Sequence, residues 1–131
     1  MNKAIELLRA SQVFFLATTE NDQPRVRPFG AVAEIENKVY ICTSDNKNCY
    51  KQMINNPKVE MAGMLPDGKW VRVCGIVDVD SQQGAKIEFL NQNPFLKEIY
   101  KVEDPSFAIL YFVEGTVEVY GHTGVEESFS I

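Results

Sequence analysis

The sequence predicts a mainly β domain, with about six antiparallel strands curled into a closed or nearly closed barrel and short helices around it. Two observations carry this. Segments rich in β-branched and aromatic residues fall into two hairpin-rich blocks, and the helical patterns between them are too short for alternating parallel units. With 131 residues, 45% of them apolar, one domain over residues 1–131 with a well-filled core is expected.

Asn2 can cap a helix over residues 3–11, where Ile5 and Leu8 recur at helical spacing against Glu6 and Arg9. Val13 to Thr19 reads as a strand, and the polar stretch from Glu20 to Pro24 as a hairpin loop. Arg25 to Ile35 reads as one long strand with Arg25, Arg27, Phe29, Ala31, Ala33 and Ile35 on one face; Glu36-Asn37 turns it into Lys38 to Thr43. Ser44-Asp45-Asn46 offers a cap for a helix over about 47–55, which stops at Asn56-Pro57. Lys58 to Met64 is a strand and Pro66 to Lys69 a tight turn. Trp70 to Asp80 is a strand that points Val71, Val73, Val77 and Val79 inward and Trp70, Arg72 and Cys74 outward. A helix over Ser81 to Asn91, a helical turn over Phe95 to Tyr100 and a closing strand from Phe107 to Tyr120 complete the chain. Gly115 marks a bulge or bend in that last strand.

The formal charge of -5 argues against a general nucleic-acid or anionic-membrane binder. No apolar run reaches the roughly 18 residues of a spanning helix and the first residues lack a signal core, so a cytoplasmic protein is expected. Cys42, Cys49 and Cys74 fit neither zinc spacing nor a disulfide framework, and read as reduced thiols. Position matters more than the average charge. Residues 1–72 carry ten bases and eight acids, residues 73–131 three and ten, and eight of the thirteen bases lie between Arg25 and Arg72. One local anion site on an acidic body is a reading of that clustering; a solvated face is the plainer one.

The chemistry-bearing constellation is Arg-Val-Arg-Pro-Phe-Gly over 25–30, then Thr43-Ser44, then Lys47 and Lys51 at the start of a helix. Arg25 and Arg27 share a strand face and Lys47 and Lys51 a helix face, so two cationic ridges could converge. A phosphate would find the guanidinium of Arg27, the hydroxyls of Thr43 and Ser44, the ammonium groups and the helix N-terminus. Without a Gly-rich phosphate loop or a dinucleotide fingerprint, a mononucleotide-type phosphate is expected rather than NAD or ATP. Pro28 removes a ladder donor and Gly30 a side chain, which lets a flat ligand approach the backbone, or simply kinks an edge strand. Trp70 and Arg72 share a face open to a planar or anionic ligand or to a dimer partner. The lone His122 reads as a surface or interface residue, no metal site is expected, and no side chain stands out as a catalytic acid, base or nucleophile. An enzyme of this kind takes its chemistry from a cofactor.

In order and spacing, Val-Phe-Phe-Leu-Ala-Thr (13–18), Pro-Arg-Val-Arg-Pro-Phe-Gly (24–30), Val-Tyr-Ile-Cys-Thr-Ser (39–44), Lys-Gln-Met-Ile-Asn-Asn-Pro-Lys-Val (51–59) and Trp-Val-Arg-Val-Cys-Gly (70–75) resemble the FMN-binding split-barrel family related to pyridoxamine 5'-phosphate oxidase, and more narrowly its nitroimidazole-reductase-like branch. The resemblance covers about residues 1–120. It implies a six-stranded antiparallel Greek-key split barrel and a homodimer with FMN in a groove between subunits. It also implies phosphate contacts from Arg27, Thr43, Ser44, Lys47 and Lys51, with Pro28, Phe29 and Gly30 behind the flavin ring. Trp70 falls near the flavin's pyrimidine edge, with Arg72 on the same face. Asn48 and Cys49 stand where the oxidase has an adjacent basic pair, and the chain ends soon after Tyr120, so oxidation of vitamin B6 is not implied. The expected function is an FMN-dependent oxidoreductase acting on a small planar substrate, with neither nucleic acid nor membrane as partner. The rival readings are a deazaflavin-dependent reductase of the same fold, a module that holds FMN or haem without turnover, and a barrel that binds single-stranded nucleic acid, which the net charge disfavours.

Overall fold

In the computed structural model, which describes residues 2–131, Asn2 caps the first helix: its side-chain Oδ1 accepts from the Ala4 amide at 2.8 Å. This helix, α1 (Lys3–Ser11), buries Ala4, Ile5 and Leu8. The strands follow as β1 (Phe14–Glu20), β2 (Gln23–Phe29), β3 (Ala33–Ile35), β4 (Lys38–Ser44), β5 (Lys58–Met64), β6 (Trp70–Asp80), β7 (Phe107–Gly121) and β8 (Gly124–Ser130). Between them lie α2 (Asn48–Asn55), α3 (Gln83–Gln92) and a 3₁₀ turn (Pro94–Glu98). No described helix is long and apolar enough to cross a membrane.

All pairings are antiparallel, in the order β2-β1-β5-β6-β7-β4-β3, with β8 also on β7. The described chain therefore has eight strands where six were expected. Two causes account for the difference. The expected strand over 25–35 is interrupted: β2 ends at Phe29, and Gly30 to Val32 leave the ladder before β3 begins at Ala33. The tail after Tyr120 turns at His122-Thr123 and returns along β7 as β8.

The inner face of the sheet is apolar at every second residue, as the alternation required. Phe14 and Leu16 of β1, Val39 and Ile41 of β4, Met61 of β5, Val71 and Val73 of β6, and Phe112 and Val117 of β7 are buried together, and α1 and Met53 of α2 pack onto them. A second core lies where α3 and the 3₁₀ turn cover β3, β4 and the start of β7, around Tyr40, Phe89, Leu90, Leu96, Phe107 and Ile109. Because β4 supplies Val39 and Ile41 to one core and Tyr40 to the other, Cys42 and Thr43 sit at the border between them.

The long strands bend where the sequence places glycine. Gly75 of β6 faces Gly115 of β7, and the register shifts just beyond, between Ile76 and Val77, leaving Val113 exposed. A Cβ on Gly75 would lie 2.2 Å from the Glu114 carbonyl oxygen, so the two backbones approach closely because neither residue has a side chain.

Candidate functional site

The end of β2 and the end of β4 meet beneath the 3₁₀ turn. There a cavity of about 270 Å³ is lined by Pro28, Phe29, Gly30 and Ala31 on one side and by Cys42, Thr43 and Lys47 on another; Phe95, Leu96, Ile99 and Tyr100 close it. Five residues singled out in the sequence thus line one space: Pro28, Phe29, Gly30, Thr43 and Lys47. Ser44 adjoins it, donating from Oγ to the Tyr100 hydroxyl at 3.1 Å. A Cβ built on Gly30 would meet only the Gln12 carbonyl oxygen, at 3.7 Å, an ordinary contact.

Lys47 is the N-cap of α2, where the sequence suggested Ser44 to Asn46, and no side chain caps the helix. Its first amides are therefore left without a side-chain acceptor at the N-terminal, positive end of the dipole. Lys47 and Lys51 do not converge on one site. Lys51 lines a separate polar cavity of about 530 Å³ with Thr19, Glu20, Asn21 and three further asparagines. Lys47 is the N-cap, with extended backbone at φ -83° and ψ 151°, so the i,i+4 spacing that puts two helical residues on one face does not hold for this pair.

Arg27 points inward, as its register with Leu16 requires. Its guanidinium donates to the Leu16 carbonyl at 3.2 Å, to Thr18 Oγ1 at 2.7 Å and to Gln52 Oε1 at 2.7 Å. Thr18 Oγ1 also donates to Gln52 Oε1, at 2.6 Å, and both residues are buried. Gln52 and Thr18 were not foreseen. Each is one polar residue on an otherwise apolar inward face, and only the packing of α2 on β1 brings them to the arginine. Arg25 shares this strand face, but its charge is already balanced by Glu20 at 2.9 Å.

Trp70 and Arg72 lie elsewhere in the chain, on the outer face of the sheet. The Trp70 and Tyr120 rings stack with centroids 4.2 Å apart, and the Arg72 guanidinium lies 5.0 Å from each ring. Arg72 Nε is 3.2 Å from Glu60 Oε2, close enough to pair in charge but not aligned for a hydrogen bond. Trp70 borders an apolar groove with Val13, Phe15, Ala62 and Met64.

Electrostatically the cavity is quiet apart from Lys47. Burial pushes the Cys42 thiol up to about 12 against the attraction of Lys47, so it is a neutral wall rather than a nucleophile. Cys49 is buried, its sulfur 3.3 Å from Thr43 Oγ1, and Cys74 is exposed on the outer face. His122 sits exposed in the β7–β8 turn. Among the described residues, no group of three or more His, Cys, Asp or Glu is placed to hold a metal ion.

The fold is thus a mainly antiparallel β-sheet wrapped on an apolar core, with one cation and a helix start at an apolar cavity. Comparison with known proteins makes the class specific. A family described as pyridoxamine 5'-phosphate oxidase matches residues 1–129. The chain is similar to a solved NimC/NimA family protein from Clostridium acetobutylicum, with 48% identity, a TM-score of 0.96, and coverage of 100% of this chain and 92% of that one. It shares its fold with a haem-binding protein from Mycobacterium smegmatis, at 18% identity and a TM-score of 0.73, covering 99% of this chain and 56% of that one. A pyridoxamine 5'-phosphate oxidase-related, FMN-binding protein from Nostoc punctiforme also shares it, at 15% identity and a TM-score of 0.63, covering 98% and 93%. No curated protein matches the chain. The chain belongs to the pyridoxamine 5'-phosphate oxidase family, on its NimC/NimA side.

Proposed function

We propose that this chain is an FMN-dependent oxidoreductase that acts as a homodimer on a small planar substrate. The observation that carries the reading is the single cavity at which Pro28, Phe29 and Gly30 offer an apolar strand edge while Thr43, Lys47 and the start of α2 offer donors. That donor set suits a phosphomonoester joined to a flat ring, and the FMN-binding relative from Nostoc punctiforme supports the choice of cofactor. FMN, when bound, supplies hydride or electron transfer. The chain's own residues bind and orient: Lys47 and the α2 amides hold the phosphate, Thr43 donates to a nearby oxygen, and Ser44 steadies Tyr100 by donating to its hydroxyl. Arg27, which was expected to touch the phosphate, does not line the cavity; its guanidinium is held by Thr18 and Gln52. Phe29 with Pro28 keeps water from one face of the ring.

A homodimer completes the site. Phe95 and Ile99 of the lining are 58% and 68% exposed, so one chain leaves that side of the cavity open to a partner. The outer sheet face around Phe15 (49% exposed), Met64 (62%) and Trp70 is the surface for a second copy, which would bring Trp70 and Arg72 towards the partner's flavin.

Purified protein is expected to be yellow, to release FMN on denaturation and to run as a dimer in light scattering. Colourless protein that takes up no added FMN overturns the cofactor reading, and uptake of haem or a deazaflavin in its place redirects it. Oxidation of a reduced nicotinamide in the presence of a planar acceptor separates an oxidoreductase from a module that only holds its ligand.

A further inference from the structure

The cavity of about 530 Å³ between α2 and the end of β1 has no part in the proposed cofactor site. Its helical wall is Asn48, Lys51, Gln52 and Asn55, whose spacing puts them on one face of α2, while Cys49 and Met53 bury on another. Thr19, Glu20 and Asn21 supply a second wall. Gln52 is 6% exposed and its orientation is fixed: Arg27 can only donate, so the Gln52 carbonyl faces it and Nε2 is turned the other way. The one acceptor of Nε2 is Glu20 Oε2, at a long 3.5 Å, so one of its two N–H groups has no acceptor among the described residues. Asn48, Lys51 and Asn55 make no side-chain hydrogen bond or ion pair with a described residue. A buried amide with an unused N–H, at a cavity whose neighbouring polar side chains are also unused, is bonding capacity held for a ligand.

The charges of the lining set the class of that ligand. Lys51 and Glu20 are the two charged residues in it. Glu20 is already paired with Arg25 at 2.9 Å and Lys51 is paired with no described residue, so the cavity holds one unbalanced positive charge. One negative charge on a ligand would balance it; a second would be left facing the Glu20 carboxylate. The rest of the lining is a threonine hydroxyl and side-chain amides, which both donate and accept and so suit hydroxyl groups. No aromatic or large aliphatic side chain stands in the lining for a flat or apolar ligand to pack on.

We infer that this cavity is a second ligand site, and that it takes a small polyhydroxylated carboxylate of the sugar-acid class. Lys51 holds the carboxylate, and Asn48 and Asn55, about one turn before and after it, place an amide donor on either side of the ammonium. Gln52 Nε2, Glu20 Oε2 and Thr19 meet the hydroxyls. The site is independent of the FMN reading, because none of its lining residues lines the cavity at Lys47.

Gluconate carries both the carboxylate and the hydroxyls, sorbitol lacks the carboxylate, hexanoate lacks the hydroxyls, and glucose 6-phosphate adds a second negative charge. Each is titrated calorimetrically into the wild-type protein, into Lys51→Met and into Asn55→Leu. Wild type is expected to bind gluconate about tenfold or more tighter than sorbitol or hexanoate, the scale of a charge-assisted contact, and tighter than glucose 6-phosphate. Lys51→Met should bring gluconate down to the level of sorbitol, and Asn55→Leu should weaken gluconate several-fold. No saturable binding of gluconate to wild type, equal affinity for the four probes, tighter binding of glucose 6-phosphate, or undiminished gluconate binding by Lys51→Met overturns the inference. FMN uptake by Asn55→Leu should match wild type, since Asn55 does not line the cofactor cavity, so the two sites are judged separately. Both altered side chains are exposed, and thermal melts matching wild type confirm that the variants fold.

Discussion

Gln52 is the residue on which the buried polar end of the barrel turns. Its Oε1 receives both Thr18 and Arg27, so its loss would leave the buried Thr18 hydroxyl without its acceptor and remove one of several acceptors of the Arg27 guanidinium. Gln52→Leu is expected to destabilise the fold by about 1–3 kcal/mol in urea unfolding, the usual cost of stranding buried donors. The buried thiol and phenol give a second prediction. Burial raises Cys42 from 9.0 to about 12; Tyr40 is raised too, by burial first and then by donating to Asp80 Oδ2 at 2.7 Å. Above pH 9 the unfolded chain sheds these protons and the folded chain keeps them, so the unfolded state binds fewer protons and stability falls as pH rises. Denaturation curves from pH 8 to 11 should show this loss, and Cys42→Ala should flatten its slope. At this scale the sequence was partly legible. The Arg27 motif, Thr43 and Lys47 stood out because charge on a strand face or at a helix start is unusual. Gln52, Phe95 and Tyr100 did not, because their roles arise only when α2 and the 3₁₀ turn pack against strands distant in sequence.

Among the elements, β6 and β7 set the curvature. Gly75 and Gly115 lie opposite each other beside the register shift, and a methyl at Gly75 would meet Glu114 backbone at 2.2 Å and Gly115 Cα at 2.9 Å. Backbone on both sides cannot move away as a side chain would. Gly75→Ala should therefore cost about 1–3 kcal/mol, at the level of core overpacking, measured by the shift of the urea midpoint. Gly115 was readable as a bend from its place in an otherwise β-branched strand, and α1, β1, β5 and β6 followed from periodicity and turn residues. Two element boundaries were hidden. Pro28 and Gly30 signalled a kink, but Ala31 and Val32 continue the apolar run, so the length of the break before β3 was not readable. β8 carries Glu126, Glu127 and Ser128 and is largely exposed, so it has no strong apolar alternation; its pairing comes from the free edge of β7.

For the whole molecule, the uneven charge of the sequence takes physical form. Some of the early bases are already answered, Arg25 by Glu20, Lys69 by Glu126 and Arg72 by Glu60, and Lys47 remains at the cavity. What looked like one basic cluster is dispersed: Lys47 alone of these bases lines this cavity, and Lys51 lines another. Completion of the Lys47 cavity by a second copy is a prediction of its own: Phe15→Asp, which puts a charge in the middle of the outer apolar face, should give a monomer by light scattering and lower FMN affinity at the same time. A dimer that survives the substitution would place the interface elsewhere. The central claim is that FMN binds through the Lys47 side of this cavity, and fluorescence titration of FMN into wild type, Lys47→Ala and Arg27→Ala tests it most directly. The account predicts saturation at one FMN per chain for wild type, about tenfold or greater weakening in Lys47→Ala, the scale of a lost charge-assisted contact, and a smaller change in Arg27→Ala, which does not line the cavity. Absence of saturable binding to wild type, or equal affinity in all three proteins, would contradict it.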